Sequence, residues 1–121
     1  MKKLVCVKNT SRGSTIIGNQ IQIAESFFDK LFGLMGRRHM LFGTGMLLHP
    51  CSSIHTCFMT IPIDVLYINK DRKVLAIDRV LEPWRIGTIK FGTSMVLELP
   101  PGTATATGIE IGDLIAIENP A

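Results

Sequence analysis

Residues 63–68 read IDVLYI, and this stretch decides how the rest of the chain is interpreted. Val65 to Ile68 are apolar at every position, which is typical of a strand that is covered on both faces. The polar residues 69–72 (NKDR) form a turn signal, and a second strand-like run, VLAIDRVL, follows at residues 74–81. The two runs are therefore predicted to pair as a hairpin.

Strand-like runs recur on both sides of this hairpin, and most of them end at turn residues. They lie at residues 4–7, 16–17, 46–48, 54–59, 94–99 and 114–118. Gly18-Asn19 has the composition of a tight turn, so we interpret it as a hairpin leading into Ile21 and Ile23.

One segment departs from the strand pattern. Residues 24–37 place apolar side chains three and four positions apart, which predicts an amphipathic helix. Its apolar stripe consists of Phe27, Phe28, Leu31, Leu34 and Met35. Many short strands with one helix predict a mainly β fold: a small jelly-roll-like β-sandwich or a partly closed barrel, with one amphipathic helix.

Length and composition place residues 1–121 in a single β-sandwich domain. Of the 121 residues, 46% are hydrophobic and 19% are charged, which excludes a disordered chain and a coiled coil. Lys and Arg total 13 against 10 Asp and Glu, and the resulting charge of +3 is dispersed along the chain. Because nucleic-acid binding needs a concentrated basic face, we expect no nucleic-acid partner.

The chain contains no apolar run near the roughly 18 residues of a membrane span, so we expect no membrane partner. The N-terminal MKK is similar to the start of a signal peptide. However, the apolar run at residues 4–7 is shorter than the about 7–15 residues that such a peptide needs. We therefore expect a cytoplasmic protein, with its three cysteines, Cys6, Cys51 and Cys57, kept as thiols.

A set of short motifs in fixed order resembles the uncharacterised family called domain of unknown function 192, over roughly residues 17–117. The matching pieces are GLMGR at 33–37, GMLL at 45–48, IHT at 54–56 with Met59, IPIDVLYI at 61–68, PWR at 83–85, VLELP at 96–100 with Gly102, GI at 108–109 and GD at 112–113. The resemblance implies a small, mostly β, jelly-roll-like fold. It implies no particular reaction.

Two histidines and two cysteines lie close together in the sequence: His49, Cys51, His55 and Cys57. All four residue types bind zinc. On an extended strand, however, Cys51 and Cys57 would lie about 20 Å apart, too far for one tetrahedral site. We therefore expect no bound metal, and the chain shows no motif that calls for another cofactor.

A second group suggests ligand binding. Asp64 lies in a very apolar stretch, where a buried carboxylate needs a partner, and Arg85 is the predicted partner because a guanidinium binds a carboxylate through two hydrogen bonds. His55, Asp64 and Arg85, with Arg37 as a further candidate, are predicted to bind a small polar or anionic ligand at one mouth of the fold. Trp84 offers a stacking wall beside them.

Two other classes of function stay open. Cys51 and His55 form a candidate nucleophile and base, and with a bound metal the same region suggests hydrolysis, so an enzyme is one alternative. A protein-interaction module is the other, and a large exposed apolar patch would favour it. The sequence specifies neither the ligand nor the oligomeric state.

Overall fold

The computed structural model describes residues 3–25 and 38–120. They form seven strands, one short helix and a single 3-10 turn at Thr10–Arg12. The strands are β1 (Leu4–Asn9), β2 (Thr15–Ala24), β3 (Thr44–Leu48), β4 (Ile63–Ile68), β5 (Val74–Leu81), β6 (Met95–Leu99) and β7 (Ile115–Glu118), and the helix is α1 (Thr103–Thr107).

The described strands form one sheet in the order β5-β4-β6-β3-β2-β1-β7, in which only β2 and β3 are parallel. The two edge strands meet at one end. The N–H of Val74 donates to the carbonyl of Asp113 at 2.9 Å, and the N–H of Ile115 donates to the carbonyl of Arg72 at 3.0 Å. These bonds curl the sheet into a partly closed barrel, which confirms the mainly β prediction. The jelly-roll arrangement is not confirmed, since the described strands belong to one sheet.

Apolar side chains cover both faces of the central strands. The inner cluster contains Leu66 of β4 and Leu97 of β6, and the outer cluster contains Val65 and Val96 of the same strands. Every residue of β4 and β6 is buried. The prediction that β4 is covered on both faces is therefore confirmed.

The predicted hairpin between β4 and β5 is confirmed, because the two strands pair antiparallel. Its turn is held by Asn69, whose side-chain oxygen accepts the N–H groups of Asp71 and Lys73, both at 2.9 Å. Arg72 lies in this turn with φ +67°, in the left-handed region that residues other than glycine rarely adopt.

Two local predictions are wrong. Strand β2 runs without interruption through Gly18-Asn19, so no hairpin turn forms there. A Cβ on Gly18 would lie 3.1 Å from the carbonyl oxygen of Gly43, so the glycine permits a close approach of two backbones rather than a turn. Residues 54–59 form only a single bridge, between His55 and Ile86, and not a strand.

The predicted helix at residues 24–37 is not tested over most of its length. Ala24 is the last residue of β2, and residues 26–37 lie outside the described residues. Within the described part of the chain, no helix has both the length and the apolar character needed to cross a membrane.

Candidate functional site

Asp64 is fully buried at the start of β4, and its partners are backbone groups. Its Oδ1 accepts the N–H of Val80, and its Oδ2 accepts the N–H of Ala104, both at 2.8 Å. Ala104 lies in the first turn of α1, where helix N–H groups have no partner within the helix. The predicted ion pair between Asp64 and Arg85 is wrong: the carboxylate is fully buried and binds backbone amides, whereas Arg85 is exposed.

His55 and Arg85 lie on neighbouring segments that Thr56 joins. The N–H of Thr56 donates to the carbonyl of Arg85 at 2.8 Å, and the N–H of Arg85 donates to Thr56 Oγ1 at 2.8 Å. Both His55 and Arg85 are exposed. The structure thus brings together two of the predicted ligand residues, while Asp64 offers no exposed atom and Arg37 lies outside the described residues.

Beside them, Phe58 and Trp84 pack against each other on the surface. Their ring centroids are 4.6 Å apart and the ring planes are tilted by 58°. Phe58 has φ +67° and Trp84 has φ +62°, so both aromatic residues hold a backbone conformation that costs about 1–3 kcal/mol each. Hydrogen bonds to Thr56 fix both segments and keep the two rings in contact.

The four histidines and cysteines considered as metal ligands fall into two pairs. His49 and Cys51 line an open cleft of about 330 Å³ together with Pro50, Ser52, Thr93 and Ser94. Farther along the chain, the N–H of Cys57 donates to His55 Nδ1 at 3.2 Å. Among residues 3–25 and 38–120, no three His, Cys, Asp or Glu side chains come close enough to share a metal ion.

A smaller and more enclosed cavity lies at the barrel mouth, which is the end of the barrel formed by the end of β3, the start of β6 and the β4–β5 turn. This mouth cavity has a volume of about 120 Å³. Its lining residues are the apolar Ile23, Leu47, Met95 and Ile117 and the polar Glu25, His49 and Arg72.

The strand register explains why these residues meet. Ile68, the last residue of β4, pairs with Met95, the first residue of β6, and the turn that carries Arg72 follows directly. A nitrogen of the Arg72 guanidinium lies 3.5 Å from the Met95 sulfur. Asp64 pairs with Leu99, at the other end of the same two strands, so the predicted site and the mouth cavity belong to opposite ends of β4.

The outer face of the sheet carries an ionisable group that sequence reasoning did not select. Glu98 of β6 is 6% exposed and lies between Met46 of β3 and Val65 of β4. Burial raises the pKa of the Glu98 carboxyl to about 7. The signal in the sequence is a single charge within the alternating run VLEL at residues 96–99.

A polar network also ties Tyr67 to residue 88. The Tyr67 hydroxyl donates to Asp78 Oδ2 at 2.7 Å, and Thr88 donates to the same carboxylate from its N–H at 2.8 Å and its hydroxyl at 2.5 Å. Burial, and then the bond to Asp78, raise the pKa of Tyr67. Burial opposes ionisation of Asp78, but hydrogen bonds from Thr88 and Tyr67 outweigh it and lower the Asp78 pKa.

Comparisons with known proteins agree with this fold. The chain is 30% identical over 108 residues to the UPF0127 protein of Pyrococcus furiosus, covering 87% of this chain and 91% of that protein. It is 32% identical over 111 residues to the UPF0127 protein of Thermococcus sibiricus, covering 88% and 71% of the two chains.

Solved structures show the same architecture. The crystal structure of a protein of unknown function from Novosphingobium aromaticivorans matches with a TM-score of 0.80 and 26% identity, covering 95% of this chain and 84% of that one. A crystal structure from Sinorhizobium meliloti matches with a TM-score of 0.79 at 24% identity, covering 97% and 94% of the two chains. The sequence profile of the DUF192 family, described as "Uncharacterized ACR", matches residues 7–117. This chain therefore belongs to the DUF192 family, whose function is unknown.

Proposed function

We propose that this protein is a binding module for a small aliphatic carboxylate, which occupies the mouth cavity. The observation that carries the proposal is a small, mostly apolar cavity whose lining includes Arg72 and His49. The proposal keeps the class of ligand predicted from the sequence, a small polar or anionic molecule. It moves the binding site from Asp64 and Arg85 to the other end of β4.

The apolar part of the cavity sets the size of the ligand. Leu47 and Met95 belong to the inner core, and Ile23 and Ile117 complete the lining. A volume of about 120 Å³ equals about four water molecules in the liquid. Pockets for drug-sized molecules measure about 300–1,000 Å³, so this one suits a short branched chain of a few carbons.

The charged edge sets the sign of the ligand. A guanidinium binds a carboxylate in a planar, two-bond geometry, and the Arg72 guanidinium lies 3.5 Å from the Met95 sulfur of the apolar lining. The left-handed backbone conformation of Arg72 costs folding free energy. Strained conformations of this kind are common at functional sites. Glu25 also lines the cavity. Its negative charge repels any carboxylate, so a ligand with one carboxylate is disfavoured less than a ligand with two.

Isovalerate tests the proposal, with isovaleramide as its uncharged analogue of nearly the same shape. In an NMR titration of the isotope-labelled protein, isovalerate is expected to shift the amide signals of Leu47, Arg72 and Met95. The amide is expected to bind about tenfold more weakly, because it loses the charged hydrogen bonds. Arg72→Gln should remove this preference, while Lys70→Gln, a change on the same exposed turn, should keep it.

Two results would count against the proposal. If isovalerate and isovaleramide bind equally, the Arg72 charge does not select the ligand. If the signals that shift belong to residues around His55 and Arg85, the ligand binds near the Phe58–Trp84 pair and not at the barrel mouth.

An enzyme that uses a cysteine has less support. Cys51 and His49 share the larger cleft, but the Cys51 sulfur donates a hydrogen bond to the carbonyl of Ser53 at 3.2 Å. Nucleophilic catalysis needs a base that accepts the thiol proton. His55, the base proposed from the sequence, instead accepts the N–H of Cys57.

A further inference from the structure

A tight turn near the barrel mouth presents apolar side chains directly to solvent. The hydroxyl and the N–H of Thr93 donate to the carbonyl of Lys90 at 2.7 and 3.2 Å, and Gly92 has φ +94°. This is the geometry of a type II turn, with Phe91 at its tip. Phe91 is fully exposed and Ile89 is 78% exposed, so Lys90 lies between two unburied apolar side chains.

The turn is held in place on both sides, so its exposed side chains are preorganised. Before it, Thr88 binds the Asp78 carboxylate through its N–H and its hydroxyl. After it, the N–H of Ser94 donates to the carbonyl of Ile68 at 2.8 Å. A large apolar side chain held outward in this way is a feature of interaction sites.

The surroundings of the turn are basic. Gly92 lies against Leu75, where a Cβ on the glycine would be 3.5 Å from the Leu75 side chain, so the turn borders the β4–β5 hairpin. The connection in that hairpin, residues 69–73, carries Lys70, Arg72 and Lys73 against one acid, Asp71. The carboxylate of Asp78 on β5 is taken up by hydrogen bonds from Tyr67 and Thr88. The sequence between Glu82 and Glu98 contains Arg85 and Lys90 and no acidic residue.

We propose that this basic turn, Ile89 to Thr93 with the flanking Lys70 and Lys73, docks on the surface of an anionic lipid bilayer. Two exposed apolar side chains with a lysine between them match the boundary between acyl chains and negatively charged headgroups. Each lysine near such a surface adds attraction that depends on the ionic strength. Two protruding side chains separated by a cation do not form the broad, flat apolar area of a protein interface.

This inference differs from the expectation of no membrane partner, which rested on the lack of an apolar run long enough to span a bilayer. Adsorption through a turn needs no spanning segment. The inference is independent of the proposed carboxylate site, since Ile89, Lys90 and Phe91 do not line the mouth cavity.

Co-sedimentation with vesicles tests it, using phosphatidylcholine alone and phosphatidylcholine with about one-third phosphatidylglycerol. The protein is expected to bind only the anionic vesicles and to be released as salt is added. Phe91→Ser should lower the partition coefficient about tenfold, because the inserted ring is lost. Lys90→Gln should weaken binding to anionic vesicles less, and should reduce its salt dependence.

Ile111→Ser is the matched control. Ile111 is 64% exposed, and it lies beside the exposed acid Glu110, which an anionic surface repels. Its replacement should therefore leave binding unchanged. The proposal is overturned if the protein ignores anionic vesicles or if Phe91→Ser binds them as well as the unmodified protein does. It is also overturned if Phe91→Ser only abolishes self-association measured without vesicles, which would make the turn a contact between copies of this chain.

Discussion

The carboxylate of Asp64 accepts the backbone N–H of Ala104 at 2.8 Å, and this bond joins the start of β4 to the first turn of α1. Gly102, which precedes the helix, makes no side-chain capping bond, so Asp64 takes over the role of a cap from a distant strand. Its second oxygen binds the N–H of Val80, at a bulge where φ is +51°. One buried side chain therefore ties two distant segments to the start of β4.

Asp64→Asn should destabilise the protein by about 1–3 kcal/mol, because the amide nitrogen must face one of the two N–H groups and leave it unsatisfied. Urea unfolding measures the loss, and Asp71→Asn on the exposed turn serves as the control. Combining Asp64→Asn with Arg85→Met should give additive losses, since the two side chains do not pair. A change below about 0.5 kcal/mol, or strong coupling to Arg85, would contradict this account.

The sequence predicts the strands well where side chains alone determine the structure. The apolar run of β4 and the alternation in β6 report burial directly, and both strands form as expected. The predicted turn at Gly18-Asn19, by contrast, does not form. Its glycine is needed because the chain passes close to Gly43, and such an approach between distant segments leaves no local pattern.

The candidate site is less predictable because backbone groups decide it. The sequence shows that Asp64 needs partners, but N–H groups are carried by nearly every residue, so the sequence favours a charged side chain such as Arg85. For Arg72, the sequence gives no reason to select it as a site residue. It belongs to a solvent-exposed turn in the sequence, and only the pairing of Ile68 with Met95 brings it to the barrel mouth.

The buried Glu98 should make stability depend on pH. Burial raises its pKa from 4.5 to about 7 in the folded protein. Below about pH 4.5 the carboxyl is protonated in both states, and from there to about pH 7 only the unfolded chain releases the proton. The free energy of unfolding therefore falls as the pH rises through this window, by up to about 3 kcal/mol.

Glu98→Gln removes the titration and should become more stable than the unmodified protein as the pH approaches 7. Urea melts between pH 4 and 8 measure the difference, and Glu110→Gln, at an exposed glutamate, should show no such trend. Parallel pH–stability curves for Glu98→Gln and the unmodified protein would show that Glu98 ionises normally in the folded state.

Thr56 should control the aromatic pair through its hydroxyl, which donates to the carbonyl of Glu82 at 2.6 Å and accepts the N–H of Arg85 at 2.8 Å. Thr56→Val keeps the shape and removes both bonds, so we expect a loss of about 1–3 kcal/mol. The fluorescence of Trp84, the single tryptophan of the chain, should change as its contact with Phe58 loosens. Thr56→Ser retains the hydroxyl and should keep the native spectrum; equal spectra for all three proteins would refute the role of the hydroxyl.

Gly87 should tolerate no larger residue while Tyr67 keeps its hydroxyl. A Cβ at position 87 would overlap the Tyr67 oxygen, which is fixed by its 2.7 Å bond to Asp78. Gly87→Ala should therefore cost about 1–3 kcal/mol, as overpacked sites do. Tyr67→Phe makes room at the cost of one hydrogen bond, so the double variant should lose less than the sum of the two single losses. Urea melts of the four proteins complete the cycle, and strictly additive losses would mean that the loop moves away from Tyr67 instead of packing on its hydroxyl.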